Sequence, residues 1–131
     1  MEPQKTYTHD EAIAASLKYF NGDELAARVW VNKYAMKDSF GNIYEVSPED
    51  MHWRIANEIA RIENKYENPM SAQQIFELLD HFRYIIPAGS PMTGIGNNHQ
   101  IASLSNCFVI GLEGDADSYG AIMRIDEEQV Q

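Results

Sequence analysis

The sequence predicts a mainly α-helical fold: an N-terminal helical domain over residues 1–86, then one strand and one unfinished helix across residues 87–131. Three observations predict it. Helix-start signals recur at Thr8, Ser47 and Ser71, each followed by apolar residues at three- and four-residue spacing. The stretch Ile85–Pro91 breaks that rhythm with two prolines and a glycine. The run Ser105–Ile110 then has the length and composition of a strand.

The first helix begins at Thr8-His9-Asp10-Glu11, a capping box in which Thr8 and Glu11 satisfy each other's free amides. Ile13, Leu17 and Phe20 follow on one face, and Asn21-Gly22 ends it, glycine entering the left-handed region without strain. A second helix is expected from Asp23 to Met36, with Leu25, Val29 and Trp30 in the core, before a turn at Phe40-Gly41-Asn42. Ser47-Pro48-Glu49-Asp50 starts a third, with proline at the first position and acids in the first turn. Its stripe is Met51, Ile55, Ile59, Ile62 and Tyr66, and Asn68-Pro69 stops it. Ser71 and Gln74 form another capping box, and Ile75, Leu79 and Phe82 continue the apolar face. Ile85–Pro91 is expected to be non-helical, and Gly94, Gly96, Asn97 and Asn98 to form a flexible loop. After the strand, Gly111–Asp117 is a turn, and Asp117 or Ser118 caps a last helix. That helix reaches Gln131 without glycine, proline or a basic last turn, so the chain is expected to stop partway into a second domain.

Composition narrows the function classes. With 44% hydrophobic residues the chain can build a core and lacks the signature of disorder. No apolar run approaches the roughly 20 residues of a membrane span, and the polar start Met1–Thr6 is no secretion signal, so a cytoplasmic, membrane-free protein is expected. A net charge of −10 argues against nucleic-acid polymers, which need clustered Lys and Arg. A single nucleotide stays open, because backbone N–H groups can hold its phosphates.

Motifs narrow them further. His9, His52, His81 and His99 are scattered, with no pair at metal-ligand spacing, and no metal site is expected. Gly94-Ile95-Gly96 lacks the third glycine and the strand-to-helix setting of a dinucleotide loop. The one cysteine, Cys107, cannot form an internal disulfide. It is either a small buried hydrophobe or a working thiol whose partner lies elsewhere. Ser103, Ser105 and Asn106 crowd polar groups at the start of its strand, where packing alone would favour apolar ones.

These flanks carry a resemblance. Ser103-Leu104-Ser105-Asn106-Cys107-Phe108-Val109-Ile110 is similar to the first barrel strand of ribonucleotide reductase catalytic subunits, and Pro87–Gly94 resembles their proline-containing substrate loop. The stretch Thr8–Phe82 resembles their N-terminal helical domain, in the form of the adenosylcobalamin-dependent (class II) members, with no ATP-cone ahead of it. The resemblance implies that residues 87–131 open a ten-stranded α/β barrel, truncated after its first strand and helix.

It also implies chemistry. In the family a thiyl radical abstracts the ribose 3′-hydrogen, the 2′-hydroxyl leaves as water, and two cysteines give up electrons and become a disulfide. Cys107 matches one of that pair, a thiol reductant that also donates a proton to the departing hydroxyl. Ser90, Asn106 and the Cys107 backbone match substrate-contacting positions, and Asp115 matches a carboxylate on the ribose of an allosteric deoxynucleotide. The implied partners are the ribonucleotide substrate, the remaining catalytic chain, adenosylcobalamin, a thioredoxin-like reductant, and a second copy through residues 118–131. The radical-forming, disulfide-partner and shuttle cysteines have no counterpart, so the chain alone is expected not to turn over. The competing expectation is a small acidic helical adaptor with an incidental cysteine.

Overall fold

The computed structural model describes residues 4–107 together with Val109 and Met123. Five α-helices follow in order: α1 His9–Tyr19, α2 Glu24–Lys33, α3 Pro48–Glu63, α4 Ala72–Leu79 and α5 Gly89–Gly94, with a 3₁₀ turn Asp80–Phe82 after α4. Both capping boxes form. The Glu11 amide donates to Thr8 Oγ1 at 3.2 Å and the Thr8 amide donates to Glu11 Oε2 at 2.8 Å. Ser71 and Gln74 repeat the exchange at 3.2 and 2.9 Å.

α3 begins at the predicted residue by another device. Ser47 occupies the cap position, but its hydroxyl makes no cap bond. Instead Asp50 reaches back and accepts the Val46 amide proton at 2.8 Å. The predicted turn at residues 40–42 is organised by Asp38, which accepts from the Phe40 and Asn42 amides, the Asn42 side chain and the Tyr44 hydroxyl.

α1 packs on α2 and α3 on α4, and the two pairs meet around Trp30, Val31, Met51, Ile55, Ala56, Ile75 and Leu79. Trp53 stacks on Phe76 across α3 and α4, with ring centroids 4.0 Å apart. The Trp30 indole N–H points at the Met51 sulfur, 3.3 Å away, which gives a buried donor its acceptor.

Several expected core positions shift. On α1 the fully buried residues are Ala12 and Ser16, while Ile13, Leu17 and Phe20 are half-buried. Small side chains let α1 approach closely, and Ser16 spends its hydroxyl on the Val46 carbonyl. On α2, Leu25 is 74% exposed and Val29 also faces solvent, because Ala27, Trp30 and Val31 take the inward face. α2 ends at Lys33 rather than Met36, and the Lys37 ammonium folds back onto the carbonyls of Val31, Asn32 and Ala35. The α3 stripe holds for Met51, Ile55 and Ile59, but Ile62 and Tyr66 are exposed at and beyond the helix end.

The expectation that Ile85–Pro91 is non-helical fails at its last three residues, as does that of a loop at Gly94. Gly89, Ser90 and Pro91 form the first turn of α5, where a missing N–H costs nothing, and Gly94 closes it. Met92 and Ile95 then pack against the helical core. Ser105, Asn106, Cys107 and Val109 are exposed and carry no strand pairing. The rest of the predicted strand, the following turn and all but Met123 of the last helix lie outside the described residues.

Candidate functional site

α5 and the segment after it bring two of the predicted site residues together. The Ser90 amide donates to Asn106 Oδ1 at 2.9 Å, joining positions sixteen apart in sequence. Gly89 lies under the same contact: a Cβ there would stand 3.6 Å from the Tyr34 ring and 3.8 Å from Asn106 Oδ1. Thr93 turns its hydroxyl back to the carbonyls of Gly89 and Ser90, at 3.3 and 3.2 Å, leaving the Ser90 hydroxyl outside the helix bonding. Cys107, the next residue after Asn106, is a free thiol exposed to solvent. Asp115 lies outside the described residues.

The other end of α5 is held by a residue the sequence did not single out. The Arg54 side chain is 9% exposed and pairs with Glu45, 3% exposed, through Nε to Oε2 at 2.9 Å and Nη2 to Oε1 at 3.3 Å. The same guanidinium donates to the Met92 carbonyl at 2.6 Å and to the Ile95 carbonyl. Glu45 Oε1 also accepts the Met36 amide at 2.8 Å. A buried pair is tolerable when its remaining donors and acceptors are met, as they are around this one. Beside it opens a cavity of about 620 Å³, bordered by Tyr7, Tyr44, Trp53, Asn57 and His99. The His99 ring stacks on Tyr44 at 4.3 Å.

A second polar cluster joins α1 to the end of α4. The Tyr19 hydroxyl donates to Asp80 Oδ1 at 3.0 Å and accepts the His81 amide at 2.6 Å. His52 Nδ1 lies 3.4 Å from the same oxygen. Burial pushes the Tyr19 hydroxyl well above its ordinary value, helped by the Asp80 carboxylate. His52 is 0% exposed, and burial lowers its pKa to about 4 against the pull of Asp80. Among the described residues its Nε2 has no hydrogen-bond partner, and the imidazole instead meets the Phe82 ring at a steep angle, centroids 4.8 Å apart. Burial works to raise Asp80, but hydrogen bonds from His81 and Tyr19 outweigh it and hold the carboxyl below its ordinary value. Among the described residues no three His, Cys, Asp or Glu side chains gather as a metal site.

The available signal for Arg54 was its place beside Met51 and Ile55 on α3, a charge at the border of an apolar stripe. For His52 the signal was its direct adjacency to Met51 on the same helix.

An all-α unit carrying a loop docked by a buried arginine is the class that these elements define. Residues 20–100, more than half of the chain, match the family model for the ribonucleotide reductase all-alpha domain. The chain therefore belongs to the ribonucleotide reductase family. The matched span contains α2 through α5, with Arg54 and Ser90, and ends before Asn106 and Cys107. Comparison with curated proteins and with solved structures returns no match. No helix among the described residues is long and apolar enough to cross a membrane.

Proposed function

We propose that this chain supplies the helical domain and the substrate-loop side of a ribonucleotide reductase catalytic centre, and so takes part in reducing ribonucleotides to 2′-deoxyribonucleotides. The observation that carries the reading is the bond from the Ser90 amide to Asn106. It makes one unit of the α5 loop and the residue preceding Cys107, two segments that the resemblance assigns to the same substrate. In this reading Ser90 and Asn106 contact the ribonucleotide, and Cys107 gives its proton to the departing 2′-hydroxyl and an electron to the reduction. The exposure of Cys107 suits a thiol that must reach both a substrate and a partner cysteine.

Cys107 cannot also be the radical-forming cysteine, its own disulfide partner and the shuttle cysteines. The other thiols would come from further reductase sequence, a thioredoxin-like protein would reset the disulfide, and the parent enzyme would be cytoplasmic. The adenosylcobalamin implied by the class II resemblance would supply the initiating radical when bound. The cavity beside Arg54 does not fit it, because Arg54, Glu45 and Asp50 on its wall are already bonded within the protein. Its binding residues, the rest of the barrel strand, the following helix, an Asp115 effector contact and a dimer face at residues 118–131 remain parts of the proposal beyond the described residues.

The test joins the chain to the remaining barrel of a reductase catalytic subunit, with adenosylcobalamin and a dithiol, and measures 2′-deoxyribonucleotide formation. Activity is expected with Cys107 present, and Cys107→Ser is expected to abolish multiple turnover. Full activity in the serine variant would remove Cys107 from the mechanism.

A further inference from the structure

We infer that Arg54 is the positioning residue of the substrate loop: by gripping the C-terminal end of α5 it sets where Ser90 stands relative to Asn106 and Cys107. The inference rests on the reductase reading for its functional meaning, but its geometry stands independently. A planar guanidinium is the side chain that can span the two Glu45 oxygens and the carbonyls of Met92 and Ile95 together. Lysine, a single charge on a flexible stem, can satisfy the carboxylate or the carbonyls but cannot match that fork.

Three further features support the grip. Glu45 is itself anchored by the Met36 amide, so the loop is referred back to the segment that follows α2 as well as to α3. Gly96 has φ +71, and a Cβ there would stand 3.1 Å from Arg54 Cγ and 3.2 Å from the Arg54 carbonyl oxygen. The chain leaving α5 is therefore laid directly on α3, in a conformation and a space reserved for glycine. Asn97 then donates its side-chain amide to the Thr93 carbonyl at 3.0 Å, closing the same end of the helix.

A short helix fixed at one end points its other end by lever action. Ser90 lies in the first turn of α5, opposite the gripped carbonyls, and its amide meets Asn106. Release of the grip should thus loosen Ser90 and the segment that Asn106 ties to it, without unpacking α3 against α4.

The test is residue-resolved amide hydrogen exchange on the full chain for Arg54→Lys, Gly96→Ala and Asn106→Ala. Arg54→Lys is expected to speed exchange at Ser90, Met92 and Ile95 roughly fivefold or more, the loss of one hydrogen bond's protection. Amides within α3 and α4 should stay within about twofold of the unsubstituted chain. Gly96→Ala should do the same with the Arg54–Glu45 pair intact, and it decides the matter if the lysine variant does not fold. Asn106→Ala should expose Ser90 alone. Unchanged Ser90, Met92 and Ile95 in the first two variants, or equal loosening of every helix, would overturn the positioning role. In the joined reductase, Arg54→Lys is expected to lower turnover more than tenfold, and turnover unaffected despite a loosened loop would likewise overturn it. Turnover that is absent even with the unsubstituted sequence, alongside the expected exchange pattern, would instead count against the reductase reading and leave the grip standing.

Discussion

His52 shows how much a single side chain can cost to place. Its imidazole is fully buried, with one nitrogen near the Tyr19 hydroxyl and the other without a partner among the described residues. The folded chain holds it neutral, with a pKa of about 4 against an ordinary 6.5. Between those values the unfolded chain binds more protons than the folded one, so stability is complete above about pH 6.5 and falls as the pH drops toward 4. The loss is expected to reach at most about 3 kcal/mol. Asp80 works in the same direction at lower pH, because its depressed carboxyl contributes stability that disappears as it protonates. Thermal melting from pH 7 to pH 4 should therefore show a steep decline that His52→Leu flattens. An unchanged slope in the leucine variant would mean that His52 does not set the acid limit.

At the scale of the element, the helix starts differ in how they are capped. Ser71 accepts the Gln74 amide in a complete box, so Ser71→Ala should cost about 1 kcal/mol. Ser47 makes no such bond, and Ser47→Ala should lie within about 0.5 kcal/mol of neutral. Asp50→Ala, which orphans the Val46 amide, should fall near the Ser71 value. Urea unfolding of the three variants separates these cases, and equal losses at Ser47 and Ser71 would contradict them.

The same contrast explains what was legible. Thr8 with Glu11 and Ser71 with Gln74 act across three residues, so their spelling is their structure. Leu25 and Val29 face solvent: periodicity yields an apolar stripe without saying which stripe meets a neighbour, and Ala27 and Val31 join Trp30 on the inward face. At Gly89-Ser90-Pro91 the breaking residues fall in a first turn, where they are harmless, and sequence alone does not mark that register. Arg54 and Glu45 are nine apart across a helix start, and no local rule pairs them. The bond between Ser90 and Asn106 joins positions sixteen apart, and nothing in their spacing announces it.

At the scale of the whole molecule, burial is graded along the described residues. The packed pairs α1 with α2 and α3 with α4 hold the buried residues, whereas every residue from Ile101 to Cys107 is exposed. That segment is tied by the Asn106 contact and by a bond from the Ser105 amide to Ser103 Oγ at 3.2 Å. Hydrogen exchange should find the highest protection in α3 and α4, and rates at 101–105 and Cys107 within roughly tenfold of an unstructured peptide. Uniform protection through Cys107 would favour a self-contained adaptor over a unit that awaits a barrel.

The bond between Tyr19 and Asp80 spans sixty-one positions and has a consequence for the order of folding events. Each helical hairpin, α1 with α2 and α3 with α4, closes over a short connection and can form early at little entropic cost. The tyrosine hydroxyl finds its carboxylate only once both hairpins exist and have collided in the right orientation. It is expected to be a late contact, a latch that drops after the door has swung shut, so Tyr19→Phe should speed unfolding more than it slows folding.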